Sequence, residues 1–379
     1  MNFTSPDFQK LMAEATRMTQ GGNLQAATAA IQAALKGGAM PAPGAAADDP
    51  NVIDVEVREV GRDAPQADQP GQEAQEAQEA PPVQEARPAQ PVKPGVAGQF
   101  ITGSHTDAKA GMREYKLYIP PAAAADGQPL PLVVMLHGCT QNPDDFAAGT
   151  GMNEAAHQRG FYVLYPAQTQ RANSSRCWNW FKHTHQKRGR GEPALLAGMT
   201  RSVMAHHAID PQRVYVAGLS AGGAMAAILG DAYPDLFAAV GVHSGLATGA
   251  ATDMPSAFGA MQNGGAAGAR STASPPTIVF HGDQDATVHP SNGEHVVAAS
   301  AGVLKSEHQR ERSRNGREYT RRTYRKADGR VVAEHWAVHG AGHAWSGGNA
   351  QGSYTDAQGP DATEEMLRFF LEKTLTAAR

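Results

Sequence analysis

A serine flanked by glycines carries the clearest chemical signal in the chain. Residues 218–222 have the pattern Gly-x-Ser-x-Gly, with Ser220 at the centre. A buried strand pattern precedes them and a helix pattern rich in alanine and glycine follows. This is the setting of a nucleophile elbow, a sharp turn that holds a serine hydroxyl above a sheet. Ser220 is therefore a candidate nucleophile for acyl transfer, the alternative being a serine that caps an ordinary helix.

Such a serine needs a histidine base and a carboxylate that orients the base, in the chain order serine, acid, histidine. The predicted strand Thr277–Phe280 is followed by Asp283 and Asp285, at the edge of a parallel sheet where ligands bind. The sequence around this strand does not by itself favour either aspartate as the carboxylate that orients the base. His343 lies between glycine-rich segments of a late loop and is the expected base.

Two other late histidines suggest different chemistry. His335 and His339 are four residues apart, as zinc ligands on a helix are, but they fall on a predicted strand. No His-Glu-x-x-His motif accompanies them. We therefore expect neither a metal nor a cofactor.

An acyl-transfer site also needs two backbone donors for the oxyanion. Ala221, directly after the serine, should give one, and Cys139, in a glycine-containing loop after a buried strand, the other. Cys139 as the nucleophile itself is the less favoured alternative, because a serine is available. Cys139 and Cys177 are the only cysteines; they could form one bridge or remain thiols.

These residues must be positioned by a large α/β domain. Two antiparallel entry strands (100–101 and 115–119) precede strand patterns that alternate with helix patterns. Such alternation predicts a mostly parallel sheet flanked by helices. Predicted strands cover 132–136, 161–165, 214–217, 237–242 and 277–280, and predicted helices begin near 142 and cover 193–207, 221–233, 290–301 and 361–377. Residues 245–273 read as a Gly/Ala-rich insertion, and 317–325 pairs with 330–338 as a hairpin around Asp328-Gly329.

The front of the chain has a different composition. Residues 1–38 predict a helical hairpin, which packs on the main domain or binds a partner or polymer. Residues 39–97 are rich in Pro, Ala and Gln, and from 45 to 97 hold 11 acidic against 4 basic residues. This predicts a disordered linker, with a strand-like pattern only at 52–60. The catalytic domain is then 98–379. We expect no secretory signal peptide, because the start lacks a basic segment and an apolar one.

Charge and hydropathy exclude some partners. The net charge of −4 gives no case for nucleic acid or an anionic membrane, and no apolar stretch is long enough to span a bilayer. The basic stretches 182–190 and 305–330 are interpreted as solvated faces. Trp178, Asn179 and Trp180 lie in a dense aromatic segment that either binds substrate or covers the core near the catalytic loop.

Taken together, these pieces resemble the polyhydroxybutyrate (PHB) depolymerase type of esterase, related to the feruloyl and acetylxylan esterases of the α/β-hydrolase superfamily. The resembling segments are Leu-His-Gly-Cys-Thr-Gln at 136–141, Cys-Trp-Asn-Trp-Phe at 177–181, Gly-Leu-Ser-Ala-Gly at 218–222, His-Gly-Asp-Gln-Asp at 281–285 and Gly-His at 342–343. They occur in the family's order across most of residues 100–370. The resemblance implies an α/β-hydrolase fold.

The resemblance also implies roles for single residues. It selects Asp285 over Asp283 as the acid that partners Ser220 and His343, and it implies a disulfide between Cys139 and Cys177. The implied function is a serine esterase on short-chain polyesters, with a feruloyl or acetylxylan esterase as the alternative. A polymer-granule-binding or adaptor protein that works through residues 1–97 is the other alternative. Extracellular action is implied as well, whereas the expected lack of a signal peptide favours the cytoplasm.

Overall fold

The computed structural model describes residues 98–107, 111–125, 128–265, 274–314 and 316–375. The chain divides into two units after Ala86, and every described residue belongs to the second. The predicted hairpin, the linker with its strand-like segment, and the adaptor hypothesis that depends on them all lie outside the described residues.

Ten strands of the described residues form one sheet, in the spatial order β1-β2-β4-β3-β5-β6-β7-β10-β9-β8. In chain order they are β1 (Gln99–Asp107), β2 (Gly111–Ile119), β3 (Leu130–Leu136), β4 (Tyr162–Pro166), β5 (Ile209–Leu219), β6 (Ala239–His243), β7 (Thr277–Gly282), β8 (Ser306–Arg312), β9 (Glu318–Arg325) and β10 (Val331–Val338). The six strands from β4 to β10 in this order are mutually parallel. Antiparallel pairs extend the sheet at both ends. The predicted mostly parallel sheet is confirmed.

Helices and short strands connect these elements. The helices are α1 (Ala122–Ala125), α2 (Pro143–Thr150), α3 (Met152–Arg159), α4 (Gly191–His206), α5 (Ala221–Ala232), α6 (Met254–Asn263), α7 (Ser291–Ala301) and α8 (Ala362–Leu371). A 3-10 turn covers His183–His185, and the two-residue strands β11 (Trp345–Ser346) and β12 (Thr355–Asp356) pair in parallel. No helix among the described residues is long and apolar enough to cross a membrane.

The central strands are mostly apolar where they cross the core, as expected for a parallel sheet with helices on both faces. Strand β3 illustrates this, since successive side chains of a strand point to opposite faces. Leu132, Val134 and Leu136 pack into one hydrophobic core, whereas Val133 and Met135 pack into the other. The centre of the sheet is thus buried on both sides, and its carboxyl edge is left for the loops that carry chemistry.

Several elements differ from the sequence prediction, among them α6, β8 and the end of α8. Helix α6 lies in the Gly/Ala-rich insertion 245–273, to which the sequence assigns no helix; Asp253 caps it by accepting a hydrogen bond from the Ser256 amide at 2.9 Å. Strand β8 lies in the first part of the basic stretch 305–330, before the predicted hairpin, where the sequence predicts no strand; nearly all of its side chains are exposed. Helix α8 ends at Leu371, several residues before the predicted end.

Candidate active site

Ser220 occupies a sharp turn between β5 and α5. Its backbone has φ 58° and ψ −120°, a conformation that costs a non-glycine residue about 1–3 kcal/mol. The Ser220 amide donates a hydrogen bond to the carbonyl oxygen of His243, at the end of the neighbouring β6, at 2.8 Å. The turn therefore holds the serine at the carboxyl edge of the sheet.

The glycines around Ser220 are required by close backbone contacts. A Cβ atom at Gly222 would lie 2.0 Å from the carbonyl oxygen of Leu136, and one at Gly218 would lie 2.4 Å from the carbonyl carbon of Gly222. Helix α5 can start directly against the end of β3 only because these positions lack side chains. The Gly-x-Ser-x-Gly pattern is thus a steric condition for this turn.

Asp285 and His343 come together from the ends of two neighbouring strands. Asp285 follows β7, and its Oδ2 atom accepts a hydrogen bond from His343 Nδ1 at 2.7 Å. Its Oδ1 atom accepts from the amides of Thr287 at 2.9 Å and Val288 at 2.8 Å. Burial opposes ionisation of Asp285, but the His281 ring, with Nε2 3.4 Å away, and the hydrogen bond from His343 outweigh it and hold the pKa well below its ordinary value. The carboxylate is ionised, so the His343 proton lies on Nδ1 and Nε2 is free to accept one.

The other aspartate and histidines have different partners. Asp283 accepts hydrogen bonds from His339 Nδ1 at 2.9 Å and from the Gly340 amide at 2.7 Å, which shapes the turn after β10. His335 is buried on β10, and its Nε2 atom has no partner within the described residues. No group of three or more possible metal ligands occurs in the described part of the chain.

Ser220 and His343 are brought to the same edge without a direct hydrogen bond in this structure. His243 links their segments, because its carbonyl accepts from the Ser220 amide and its Nε2 atom accepts from the Ser346 amide at 2.9 Å. Ser346 is three residues after His343. Catalytic hydrogen bonds are often long in unliganded enzymes and shorten when substrate binds.

The predicted oxyanion loop lies beside the elbow. A Cβ atom at Gly138 would lie 3.6 Å from Ser220 Cβ, so this loop and the serine are direct neighbours. Within the described residues, neither the Cys139 amide nor the Ala221 amide donates to a protein acceptor. A disulfide joins Cys139 to Cys177. Two unpaired N–H groups beside a serine can bind an oxyanion.

The aromatic segment after Cys177 is part of the core. Trp178 is fully buried, and its Nε1 atom donates to the carbonyl oxygen of His137 at 3.1 Å. Trp180 is 5% exposed. Asn179 donates from its amide nitrogen and from Nδ2 to the Glu192 carboxylate, both at 2.7 Å. This burial favours the packing interpretation over direct substrate binding for Trp178, Asn179 and Trp180.

Glu192 was not singled out from the sequence, yet it anchors this segment. It also accepts a hydrogen bond from Gln168 Nε2 at 2.5 Å. Burial opposes its ionisation, but the His185 ring, with Nδ1 3.5 Å from the carboxylate, and the hydrogen bonds from Asn179 and Gln168 hold its pKa below the ordinary value. A buried charge without such partners would be strongly destabilising. Its position at the start of α4, thirteen residues from Asn179, gives no local sequence signal for this role.

Strained backbone is concentrated at this site. The non-glycine residues with positive φ in the described chain are Thr140 (67°), Arg176 (53°), Ser220 (58°), Ser244 (49°) and Tyr354 (53°). Thr140 and Arg176 adjoin the two disulfide cysteines, Ser244 follows His243, and the Tyr354 hydroxyl lies 3.3 Å from Thr140 Oγ1. Such residues persist only where the surrounding structure enforces them, and they cluster at functional sites.

Comparison with known proteins shows which family this chain resembles. The chain is 34% identical over 227 residues to poly(3-hydroxyalkanoate) depolymerase C of Paucimonas lemoignei, covering 56% of this chain and 54% of that protein. It is 31% identical over 271 residues to a poly(3-hydroxybutyrate) depolymerase of Ralstonia pickettii, covering 65% and 54%. It is 30% identical over 208 residues to feruloyl esterase B of Thermothelomyces thermophilus, covering 50% and 70%. The chain thus spans about half the length of the two depolymerases.

A solved structure gives the fold. An acetyl xylan esterase from Aspergillus awamori superimposes with a TM-score of 0.55 at 20% identity, over 71% of this chain and 98% of that one. At that identity the likeness concerns the fold alone, and it agrees with the predicted α/β-hydrolase fold. The sequence model of the family described as "Esterase PHB depolymerase" matches residues 113–310, which is more than half of the chain. The matched range includes Cys139, Ser220 and Asp285. The chain therefore belongs to the esterase PHB depolymerase family.

Proposed function

We propose that this protein is a serine esterase that hydrolyses carboxylic esters through an acyl-enzyme. The observation that carries the proposal is the 2.7 Å hydrogen bond between His343 Nδ1 and Asp285 Oδ2. It sets the imidazole with Nε2 free, at the edge where a strained turn holds Ser220 beside two unpaired amides. This combination is the requirement for nucleophilic acyl transfer.

In the proposed mechanism, Ser220 Oγ attacks the ester carbonyl carbon while His343 Nε2 takes the hydroxyl proton. The amides of Cys139 and Ala221 donate to the oxyanion of the tetrahedral intermediate. When the intermediate collapses, the bond to the leaving alcohol breaks and His343 gives that alcohol its proton. Water then attacks the acyl-serine by the same route, so that acid is released and Ser220 regains its proton. Asp285 keeps the imidazole oriented throughout.

The proposed substrate is a short-chain polyhydroxyalkanoate such as poly(3-hydroxybutyrate). The support is the pair of relatives with depolymerase names, which match this chain over more than two hundred residues each. A second candidate is a feruloyl or acetylxylan ester of plant cell walls. It is favoured by the feruloyl esterase relative, of which the chain covers 70%.

The test compares wild type, Ser220→Ala and Ser202→Ala, a control on α4 outside the site. Release of 3-hydroxybutyrate from amorphous polymer is measured beside release of ferulate and acetate from xylan esters. We expect polymer hydrolysis by wild type and by the control, and a loss of about 10⁴-fold or more in Ser220→Ala. Ferulate or acetate release without hydroxybutyrate would select the second candidate. Wild-type activity in Ser220→Ala would overturn the serine mechanism.

A further inference from the structure

An exposed tyrosine connects the two loops that flank Ser220. Tyr354 lies between β11 and β12, and its carbonyl oxygen accepts a hydrogen bond from the Trp345 amide at 2.7 Å. Trp345 is two residues after His343. At its other end, the Tyr354 hydroxyl lies 3.3 Å from Oγ1 of Thr140, which follows Cys139. Tyr354 therefore borders both the loop that carries His343 (residues 339–344, the base loop) and the loop that carries Cys139 (residues 137–142, the oxyanion loop).

The position of Tyr354 is enforced by its neighbours. Ser353 donates from its amide to Asp145 Oδ1 at 2.8 Å and from its hydroxyl to Asp145 Oδ2 at 2.5 Å. Gln141 Nε2 donates to the Ser353 carbonyl at 3.1 Å, and Gln141 Oε1 accepts from the Gly138 amide at 2.9 Å. One hydrogen-bond network thus fixes both the oxyanion loop and the residue before Tyr354, so that the ring is preorganised relative to the two amides.

Packing does not account for this arrangement. Tyr354 is 46% exposed, and its φ of 53° is unfavourable for an aromatic residue. An asparagine or glycine would fit the same turn with less strain. A large ring that is strained and exposed beside a catalytic centre is a reason to look for a ligand contact.

The hydrogen bonds define what this side chain offers to a ligand. The Thr140 hydroxyl donates its proton to the Cys139 carbonyl at 2.6 Å. The Tyr354 hydroxyl is therefore the donor in its contact with Thr140 Oγ1. The side chain then has no free donor for an anion, and what it offers a ligand is its apolar ring face, which suits an uncharged alkyl or ester segment.

We propose that Tyr354 is a specificity-determining residue whose ring contacts the part of the substrate beyond the scissile ester. For an oligoester, that part is the adjoining hydroxyacyl unit. The inference rests on the proposed function and deepens it. It predicts a preference for oligomeric over single-unit esters that depends on the ring and not on the hydroxyl group.

The test uses the methyl esters of 3-hydroxybutyrate and of its linear trimer, which share the scissile chemistry. In Tyr354→Ala we expect kcat/KM for the trimer ester to fall about 10-fold, with little change for the single-unit ester. Tyr354→Phe should keep the preference. Val303→Ala, at a 93% exposed position after α7, is the control and should behave as wild type. An equal loss on both esters, or an unchanged ratio, would overturn the inference.

A binding measurement separates this inference from the proposed function. Calorimetry with the trimer ester compares Ser220→Ala with Ser220→Ala/Tyr354→Ala, where no turnover is needed. An increase in Kd of about 10-fold on loss of the ring would support the contact, and equal Kd values would overturn it. Failure of wild type to hydrolyse either ester would instead contradict the proposed function and leave the binding result to decide the role of Tyr354.

Discussion

The carbonyl oxygen of His243 accepts the amide hydrogen of Ser220 at 2.8 Å, while the imidazole of the same residue accepts the Ser346 amide at 2.9 Å. The ring is stacked between Phe280 and Trp345, with centroids 5.8 and 5.1 Å away. Burial lowers the pKa of His243 to about 3, so the ring is neutral at neutral pH. One uncharged residue therefore ties the proposed nucleophile to the loop of the proposed base.

The first prediction concerns this link. His243→Phe keeps the ring volume but leaves the Ser346 amide buried without an acceptor, a loss of about 1–3 kcal/mol in the free energy of unfolding. We expect kcat on p-nitrophenyl butyrate to fall about 10-fold, with a smaller change in KM. The reason is that the loop carrying His343 is no longer held in a fixed position relative to Ser220. His243→Gln, whose amide oxygen can accept, should recover part of kcat. Equal kcat in Phe and Gln variants would show that the acceptor is unimportant.

A pair of glycine substitutions tests the steric basis of the elbow. In Gly222→Ala the new methyl group would lie 2.0 Å from the Leu136 carbonyl oxygen, and neither backbone can move freely. We expect a loss of about 3 kcal/mol or more in the free energy of unfolding. Gly259→Ala, in α6 with no atom within 4 Å of the added group, should gain about 0.5–1 kcal/mol from helix propensity. Urea denaturation measures both; a harmless Gly222→Ala would refute the steric argument.

The disulfide should support both stability and turnover. Cys139 and Cys177 are 38 residues apart, and a bridge that closes such a loop stabilises a domain by about 2–4 kcal/mol. Cys177→Ala should lose this amount and should lower kcat more than it raises KM, because the Cys139 amide is less firmly placed. Reductant should reproduce both effects in wild type and add nothing in Cys177→Ala. A reduced wild type with unchanged kcat and melting temperature would contradict the prediction.

Three buried histidines make the fold sensitive to acid. Burial lowers the pKa of His137 to about 4 and those of His243 and His335 to about 3. In the unfolded chain a histidine has a pKa of about 6.5, so below that pH the unfolded state binds protons that the folded state does not. Stability is therefore full above pH 6.5 and falls as the pH drops towards 4, by about 1.4 kcal/mol per pH unit for each histidine.

The measurement is the free energy of unfolding in urea at pH 7.5 and pH 5. His335→Leu should reduce the difference between the two pH values by about 2 kcal/mol, because one of the three protonation sites is gone. His308→Gln, at an exposed position of β8, is the matched control and should leave the difference unchanged. If stability does not fall between these pH values, the buried rings are not held neutral by the fold.

The elbow and the sheet could be predicted because their signals are local. Gly218 and Gly222 lie two residues on either side of Ser220, at the points where the turn passes close to its own backbone and to the end of β3. The acid could not be selected from the residues alone. Asp283 and Asp285 follow the same strand, and only the approach of the loop after β10 pairs one with His339 and the other with His343.

Other features have partners far away in sequence. Tyr354 meets Thr140 across 214 residues, and His243 meets Ser346 across 103, so neither leaves a periodic pattern. Strand β8 was missed because an exposed edge strand buries neither face and lacks apolar alternation. Helix α6 was hidden by its Gly/Ala-rich surroundings, although Asp253 and Pro255 are ordinary helix-start residues.

The concentration of non-glycine residues with positive φ around Ser220 has a consequence for evolution and engineering. Each of these positions has a positive φ that a glycine would adopt with less strain, so an exchange to glycine there is a route to higher thermal stability. The same exchange would relax the turns that aim Ser220, the Cys139 amide and the Tyr354 ring. Under selection for thermal stability alone, we therefore expect substitutions to accumulate first at the proposed catalytic centre. Turnover would fall as the melting temperature rose.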